Sequence, residues 1–240
     1  MLFDVWGLKL HAIERGQGRP TLLLHGWLDH AHSFDLLAPL IAGRTVALDF
    51  RGHGDSQWVG AGGFYHFIEY VADLDEVCEQ LSPLEPVRIV GHSMGAAAAL
   101  VYAADRPGRV EHLTLIDAVP LSIPTQEVPA RLTSYLLDLR KTPRNRRRVE
   151  SVADAASRLQ RNNPSLSARA AQVLAEGGIS PDPEQDGMLA WKWDPLLRAH
   201  SPLPITEDVV QHMTVHTVPG AGHHVHLDAP EQVASLIAKR

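Results

Sequence analysis

The stretch Val87-Arg88-Ile89-Val90-Gly91-His92-Ser93-Met94-Gly95-Ala96-Ala97-Ala98-Ala99 decides the reading of this chain. An apolar run ends in Gly-x-Ser-x-Gly and passes directly into an alanine-rich segment. Residues 87–91 read as a buried strand and 94–104 as a helix. The serine between them stands on a sharp strand-to-helix turn, where glycine at both ends permits close backbone approach. The helix start behind it offers backbone N–H groups to a developing negative charge. Ser93 is therefore the candidate nucleophile, and the N–H of Met94 a candidate oxyanion donor.

The flanking sequence extends the same pattern. Residues 2–5 and 8–13 flank Gly7 as an opening hairpin. Residues 21–25 and 45–49 read as short strands, 34–42 as a short helix and 51–56 as a glycine-rich loop. In 66–81 the apolar residues Phe67, Tyr70, Val71, Leu74, Val77, Cys78 and Leu81 recur at helical spacing. Residues 112–117 read as a further strand. Strands alternating with helices predict an α/β fold with a mostly parallel sheet covered on both faces, its functional loops at the carboxyl ends of the strands. From residue 120 the texture changes. Pro120, Pro124, Pro129 and Pro143 punctuate it, and helical patterns follow near 150–160 and 165–176. Residues 120–202 are read as an inserted helical cap, and 1–119 with 203–240 as the core. The end of the chain is read as a helix at 206–211, a last strand at 213–218 and a last helix at 230–238.

Composition narrows the function. The 240 residues are 45% hydrophobic and 21% charged, which excludes disorder, collagen and coiled coil. The net charge of −6 counts against nucleic acid as a partner. No apolar run reaches the length of a membrane span and the first residues do not form a secretory signal, so a cytoplasmic location is expected. A single Cys78 excludes an intrachain disulfide framework and reads as a buried small residue. Residues 131–169 hold ten basic and three acidic side chains. The run at 144–148 reads as a solvated face or loop, with an anion-attracting rim over a site as the sharper alternative.

Two further blocks carry chemistry. In Leu24-His25-Gly26-Trp27 the N–H of Trp27 is the other candidate oxyanion donor, the Trp27 ring a candidate pocket wall, and His25 a structural hydrogen-bonding group. Gly220-Ala221-Gly222-His223-His224-Val225-His226-Leu227 puts a histidine on a flexible loop. His223 is the candidate general base, with His224 as its immediate rival and His226 as a structural residue. No paired carboxylate motif accompanies these histidines, so no metal site is expected. The block at 49–56 reads as loop architecture.

With His25-Gly26-Trp27, Asp49 to Ser56, Gly91 to Gly95 and Gly222 to Pro230 on the page, the chain resembles the α/β-hydrolase-fold serine hydrolases. Phe64-Tyr65-His66, Leu115-Ile116-Asp117 and Trp191-Lys192-Trp193-Asp194-Pro195 resemble the serine hydrolase-like subgroup more narrowly. The resemblance implies a Ser-His-acid triad, a helical cap, a small-molecule substrate and no cofactor. Charge and hydropathy lead us to expect no nucleic-acid or membrane partner, and a monomer or homodimer is expected. The chain departs from the family before its last strand, where one strand–helix unit of roughly 35–45 residues is missing. The catalytic acid often follows that strand. Asp117, at the end of the strand after the nucleophile strand, is the replacement candidate, as in some relatives. Asp228 is expected to cap the last helix, Glu207 and Asp208 to be first-turn helix acids, and Asp194 to be a turn residue. The substrate pocket is expected between cap and sheet, bordered by Trp27, His92, Met94 and residues 121–139, beginning with Leu121. Trp191 and Trp193 either line it or pack. Three functions compete: a carboxylic ester hydrolase acting through an acyl-enzyme on Ser93, a C–C bond hydrolase or lyase on the same triad, and a non-catalytic truncated relative that binds a small molecule or a partner.

Overall fold

The computed structural model describes residues 1–118, 125–199 and 216–238. Its main sheet consists of β1 (Leu2–Val5), β2 (Leu8–Arg15), β3 (Pro20–Leu24), β4 (Arg44–Leu48), β5 (Val87–His92) and β6 (Val110–Ile116). Their order across the sheet is β1-β2-β4-β3-β5-β6. The first two pairings are antiparallel, and the rest are parallel. Helices α1 (Phe67–Leu81) and α2 (Met94–Asp105) link the parallel strands.

The strand period of two divides the core into two layers. Leu22, Leu24, Val46, Leu48 and Ile89 point to one face. There they meet Leu74, Val77 and Cys78 of α1 and Ala98, Ala99 and Tyr102 of α2. Leu23, Ala47 and Val90 point to the other face. Phe34, Leu37 and Val233 of α7 (Pro230–Ala238) cover them there. All five residues of β3 are buried, as a central parallel strand requires.

The segment after β6 contains helices α3 (Val128–Lys141), α4 (Val152–Asn162) and α5 (Ala168–Gly178). It also holds a small antiparallel sheet of β7 (Arg148–Val149), β9 (Leu189–Trp191) and β8 (Ile179–Pro181), in that order. The expected all-helical cap is corrected to a mixed one. Strands of two or three residues are too short to show an alternating pattern. Helix α3 was not expected, because Pro129 reads as a breaker; it occupies the first turn, where its missing N–H has no intrahelical partner to lose.

Residues 34–42 do not form one helix. They form two short 3₁₀ turns, Ala31–Phe34 and Ala38–Leu40, with Pro39 at the start of the second. A proline there removes the donor that a continuous helix would need. The expected strand at 213–218 is corrected in part: 213–215 lie outside the described residues, and 216–218 are not in a strand. The expected helix at 206–211, with Glu207 and Asp208, also lies outside them.

The loop after β4 is tied down by charge. Arg51 grips Asp73 of α1 with two hydrogen bonds, from Nε at 2.7 Å and from a terminal guanidinium nitrogen at 2.5 Å. Both residues are buried. Removing one partner of such a pair strands the other charge in a low-dielectric site. Asp73→Ala is expected to lower stability by about 3–5 kcal/mol, read as the shift in urea unfolding free energy. A loss under about 1 kcal/mol would mean that Glu69, 3.4 Å from the Arg51 guanidinium, holds the charge without Asp73.

Candidate active site

Ser93 stands between β5 and α2 with φ 50° and ψ −115°, a conformation that L residues rarely adopt. The flanking glycines explain how the turn fits. A Cβ on Gly91 would lie 2.6 Å from the Cα and backbone N of Ala96. A Cβ on Gly95 would strike the Leu24 and His25 carbonyl groups at the end of β3. The Ser93 N–H donates to the Ile116 carbonyl at 3.0 Å, which fixes the turn against the end of β6. Gly26 lies against it from the other side: its Cβ position is 3.3 Å from the Ser93 Cβ. The structure therefore brings together the ends of β3, β5 and β6. Trp27 follows Gly26, and its ring Nε1 donates to the Leu197 carbonyl at 3.1 Å, linking the strand end to the inserted segment. Met94 opens α2, where the first N–H groups lack intrahelical acceptors.

His223 and Asp117 are 106 residues apart in sequence and meet in space. His223 Nδ1 shares a short hydrogen bond with Asp117 Oδ2. This leaves Nε2 as the other working nitrogen of the ring. Asp117 follows β6 directly and adopts a left-handed φ of 45°. No paired strand beside β6 is needed to reach it. The histidine loop is held from two directions instead. Asp228 Oδ2 accepts the Gly222 N–H at 3.0 Å. His92 Nε2 donates to the His223 carbonyl at 2.9 Å, with the two rings 4.7 Å apart. Asp228 thus braces the loop rather than capping α7. It belongs to a four-residue helical turn, α6 (Val225–Asp228), and Pro230 starts the next helix.

The other expectations divide. Leu121 lies outside the described residues. Trp191 and Trp193 are buried and stack with ring centroids 6.5 Å apart, which is packing. Asp194 caps a 3₁₀ turn through the Leu196 N–H and accepts the Tyr65 hydroxyl at 2.8 Å. His25 is structural: Nδ1 donates to the Gly26 carbonyl at 2.6 Å and Nε2 accepts the Phe50 N–H at 3.0 Å. The loop after β4 is organised by Asp49, whose carboxylate accepts the Ala31 N–H at 2.6 Å and pairs with His11 at 2.7 Å. In the arginine run, Arg148 pairs with Asp182 and Glu184, and the Arg146 guanidinium lies 4.1 Å over the Trp58 ring. Residues 144–147 lie in a loop, one of the forms expected for this run, and within it Arg146 and Arg148 are held by partners.

Sequence reasoning missed a buried polar layer behind the elbow. Burial, aided by His53, pushes the His25 pKa down to about 3. Burial likewise takes His53 to about 4. His92 falls to about 3 through burial and the neighbouring His224 and His223. His224 falls to about 4, again mainly through burial. Asp29 moves the other way, up to about 7, because burial disfavours its charged form. Only the place of Asp29 shortly after His25-Gly26-Trp27 could have signalled it.

With this geometry in hand, the comparisons with known proteins are decisive for the family. Residues 21–236 match the alpha/beta hydrolase family, to which the chain belongs. Within it, the chain is 30% identical to the serine hydrolase-like protein of Danio rerio, over 98% of this chain and 82% of that one. That alignment spans 286 positions against 240 residues here, so at least 46 of its positions are gaps on this chain's side. The crystal structure of the hypothetical protein PA1622 from Pseudomonas aeruginosa PAO1 is 31% identical, with a TM-score of 0.86, and covers 100% of this chain and 99% of that chain. A thioesterase domain from the curacin biosynthetic pathway is 27% identical, with a TM-score of 0.81 and coverage of 99% and 98%. Among the described residues, no helix is long and apolar enough to cross a membrane.

The buried histidines set a pH dependence. His25 and His53 bind protons near 6.5 in the unfolded chain, but only near 3 and 4 in the fold. Below pH 6.5 the unfolded state therefore holds more protons, and stability falls as pH falls. Each such histidine contributes up to about 2 kcal/mol of loss between pH 7 and pH 5. Asp29 works in the opposite direction over this window, since its folded pKa is raised, and offsets about one of them. His92 and His224 add to the decline. The urea midpoint is expected to be clearly lower at pH 5 than at pH 7; equal midpoints would mean that the buried rings protonate in the fold.

Proposed function

We propose that the protein is a serine hydrolase that cleaves a carboxylic ester or thioester of a small molecule through an acyl-enzyme on Ser93. The observation that carries this reading is the His223–Asp117 hydrogen bond beside a strained serine turn. In this mechanism Ser93 Oγ attacks the acyl carbonyl carbon and its proton passes to His223 Nε2. Asp117 holds the histidine with Nε2 free to accept and stabilises the imidazolium. The carbonyl oxygen becomes an oxyanion held by the backbone N–H groups of Trp27 and Met94. The C–O or C–S bond then breaks, and the leaving alcohol or thiol takes the proton from His223. Water repeats the sequence on the acyl-enzyme, with His223 accepting its proton and Ser93 Oγ leaving with one. The pocket wall is assigned to Trp27; the expectation that His92 borders the pocket is corrected, because its ring is buried behind the elbow.

Three arguments support this reading. The non-catalytic reading drew its support from the missing strand–helix unit, but the histidine and carboxylate meet without that unit. The thioesterase domain, at 27% identity over nearly the whole chain, supports acyl transfer from sulfur as well as oxygen. A serine rather than an aspartate at the elbow also argues against alkyl-enzyme chemistry.

The test is covalent labelling by a fluorophosphonate, read by intact mass on protein shown to be folded by circular dichroism. Wild type is expected to take one adduct and Ser93→Ala none. Asp117→Asn is expected to keep its fold and lose about 10³–10⁴-fold in turnover of an activated ester. A folded wild type that takes no adduct, or an Asp117→Asn variant with full turnover, would overturn the reading.

A further inference from the structure

Behind the elbow lies a group of buried side chains that the proposed hydrolase chemistry does not use. Asp29, His92 and His226 are 6%, 1% and 0% exposed. One ligand atom from each lies within 4.8 Å of the other two. His92 Nδ1 and both ring nitrogens of His226 are buried with no hydrogen-bond partner among the described residues; the Asp29 carboxylate faces them with the Ser33 hydroxyl at its side. Buried polar atoms left unpaired cost about 1–3 kcal/mol each, so several meeting at one point call for a ligand.

The hydrogen bonds around the group fix its chemistry. His92 Nε2 carries the proton, because it donates to the His223 carbonyl at 2.9 Å. Nδ1 therefore presents a lone pair. A histidine whose outer N–H is held by a backbone carbonyl is oriented as metal-binding histidines are. Asp29 Oδ1 accepts the His30 N–H at 2.8 Å, which anchors the carboxylate and leaves Oδ2 toward the histidines. His226 is wedged between the His92 ring, 4.5 Å away, and Phe34, 4.9 Å away. His224 Nε2, 4.0 Å from Asp29 Oδ2, stands next to the three.

We propose that Asp29, His92 and His226 bind a divalent transition-metal ion of the zinc class. Two imidazole nitrogens and one carboxylate oxygen suit zinc; calcium and magnesium call for oxygen ligands. Ligand atoms around a tetrahedral zinc ion stand roughly 3.4 Å apart, so the side chains close in by about 1 Å on binding. The ion would join three elements: the turn after β3 through Asp29, the elbow through His92, and α6 through His226. Since His92 also holds the His223 carbonyl, occupancy would stiffen the histidine loop. The proposal does not depend on the hydrolase reading.

The experiment uses the full chain, stripped with EDTA and equilibrated against buffered micromolar Zn²⁺, with bound metal measured by mass spectrometry. Co²⁺ serves as a spectroscopic probe, through the visible absorption of a four-coordinate ion. Wild type is expected to hold one equivalent, melt at a higher temperature with Zn²⁺, and show the Co²⁺ band. Asp29→Asn and His226→Gln, each checked by circular dichroism, are expected to weaken binding by at least about 100-fold, beyond the effect of losing an outer partner. His223→Ala keeps the backbone carbonyl that His92 Nε2 bonds and removes only a ring packed beside His92, so it is expected to keep the equivalent. A wild type that takes up no metal would overturn the proposal and leave ordered water as the partner of these buried atoms. Loss of the equivalent in His223→Ala, with retention in the two ligand variants, would overturn it too and move the ion to the His223–Asp117 pair.

Discussion

The close approach of α2 to the end of β3 is the constraint on which the rest of the structure depends. No side chain fits between Gly95 and the carbonyl groups of Leu24 and His25, nor between Gly91 and Ala96. The helix can therefore start one residue after the strand, with its first N–H groups facing the carboxyl edge of the sheet. Ser93 is forced into a left-handed conformation by the same compression. The strain is held by the Ser93 N–H bond to Ile116 and by the buried alanines of α2, which press against β3 and β5. A side chain at Gly95 would push the helix off the strand and release both the strain and the aim of the serine.

The second constraint acts on the histidine loop. In a fold of this class, a strand next to β6 would ordinarily carry the acid toward the histidine. Here β6 itself ends in Asp117, one residue past Ile116, which anchors the elbow. Serine turn and carboxylate are thus tied to one strand end. The loop has only to deliver His223 to that point. Two hydrogen bonds do so: Asp228 pulls in Gly222, and His92 pulls in the His223 carbonyl. Among the described residues, each brace belongs to the elbow or to the loop itself.

The sequence was most legible where backbone geometry demands particular residues. Gly91, Ser93 and Gly95 between an apolar run and an alanine run leave little freedom, and β5 and α2 follow within a residue of expectation. The core helix at 66–81 was legible from its apolar spacing. Asp117 was legible through the family resemblance, since some relatives carry an acid at the end of the strand after the nucleophile strand. Short features were hidden. The strands at 148–149, 179–181 and 189–191 carry too few residues for a period, and Pro129 looked like a stop although it is a start. Asp29 and Asp228 were hidden for another reason: their partners are set by tertiary packing of loops, which no local pattern encodes.

The histidine-rich loop shows how such packing changes the meaning of a motif. Gly222-His223-His224-Val225-His226 offers three equivalent rings in sequence. Folding makes them unequal. His223 remains exposed beside Asp117. His226 turns inward through one helical turn, is fully buried, and faces His92 and Phe34. His224 lies between them, near Asp29. Burial removes water as a partner for the inner rings, so their nitrogens must find another ligand or remain unpaired at a cost. The outer ring carries no such demand. One short loop therefore serves two environments, and His92, adjacent to Ser93 and bonded to the His223 backbone, is the residue through which a change in the inner one would reach the outer.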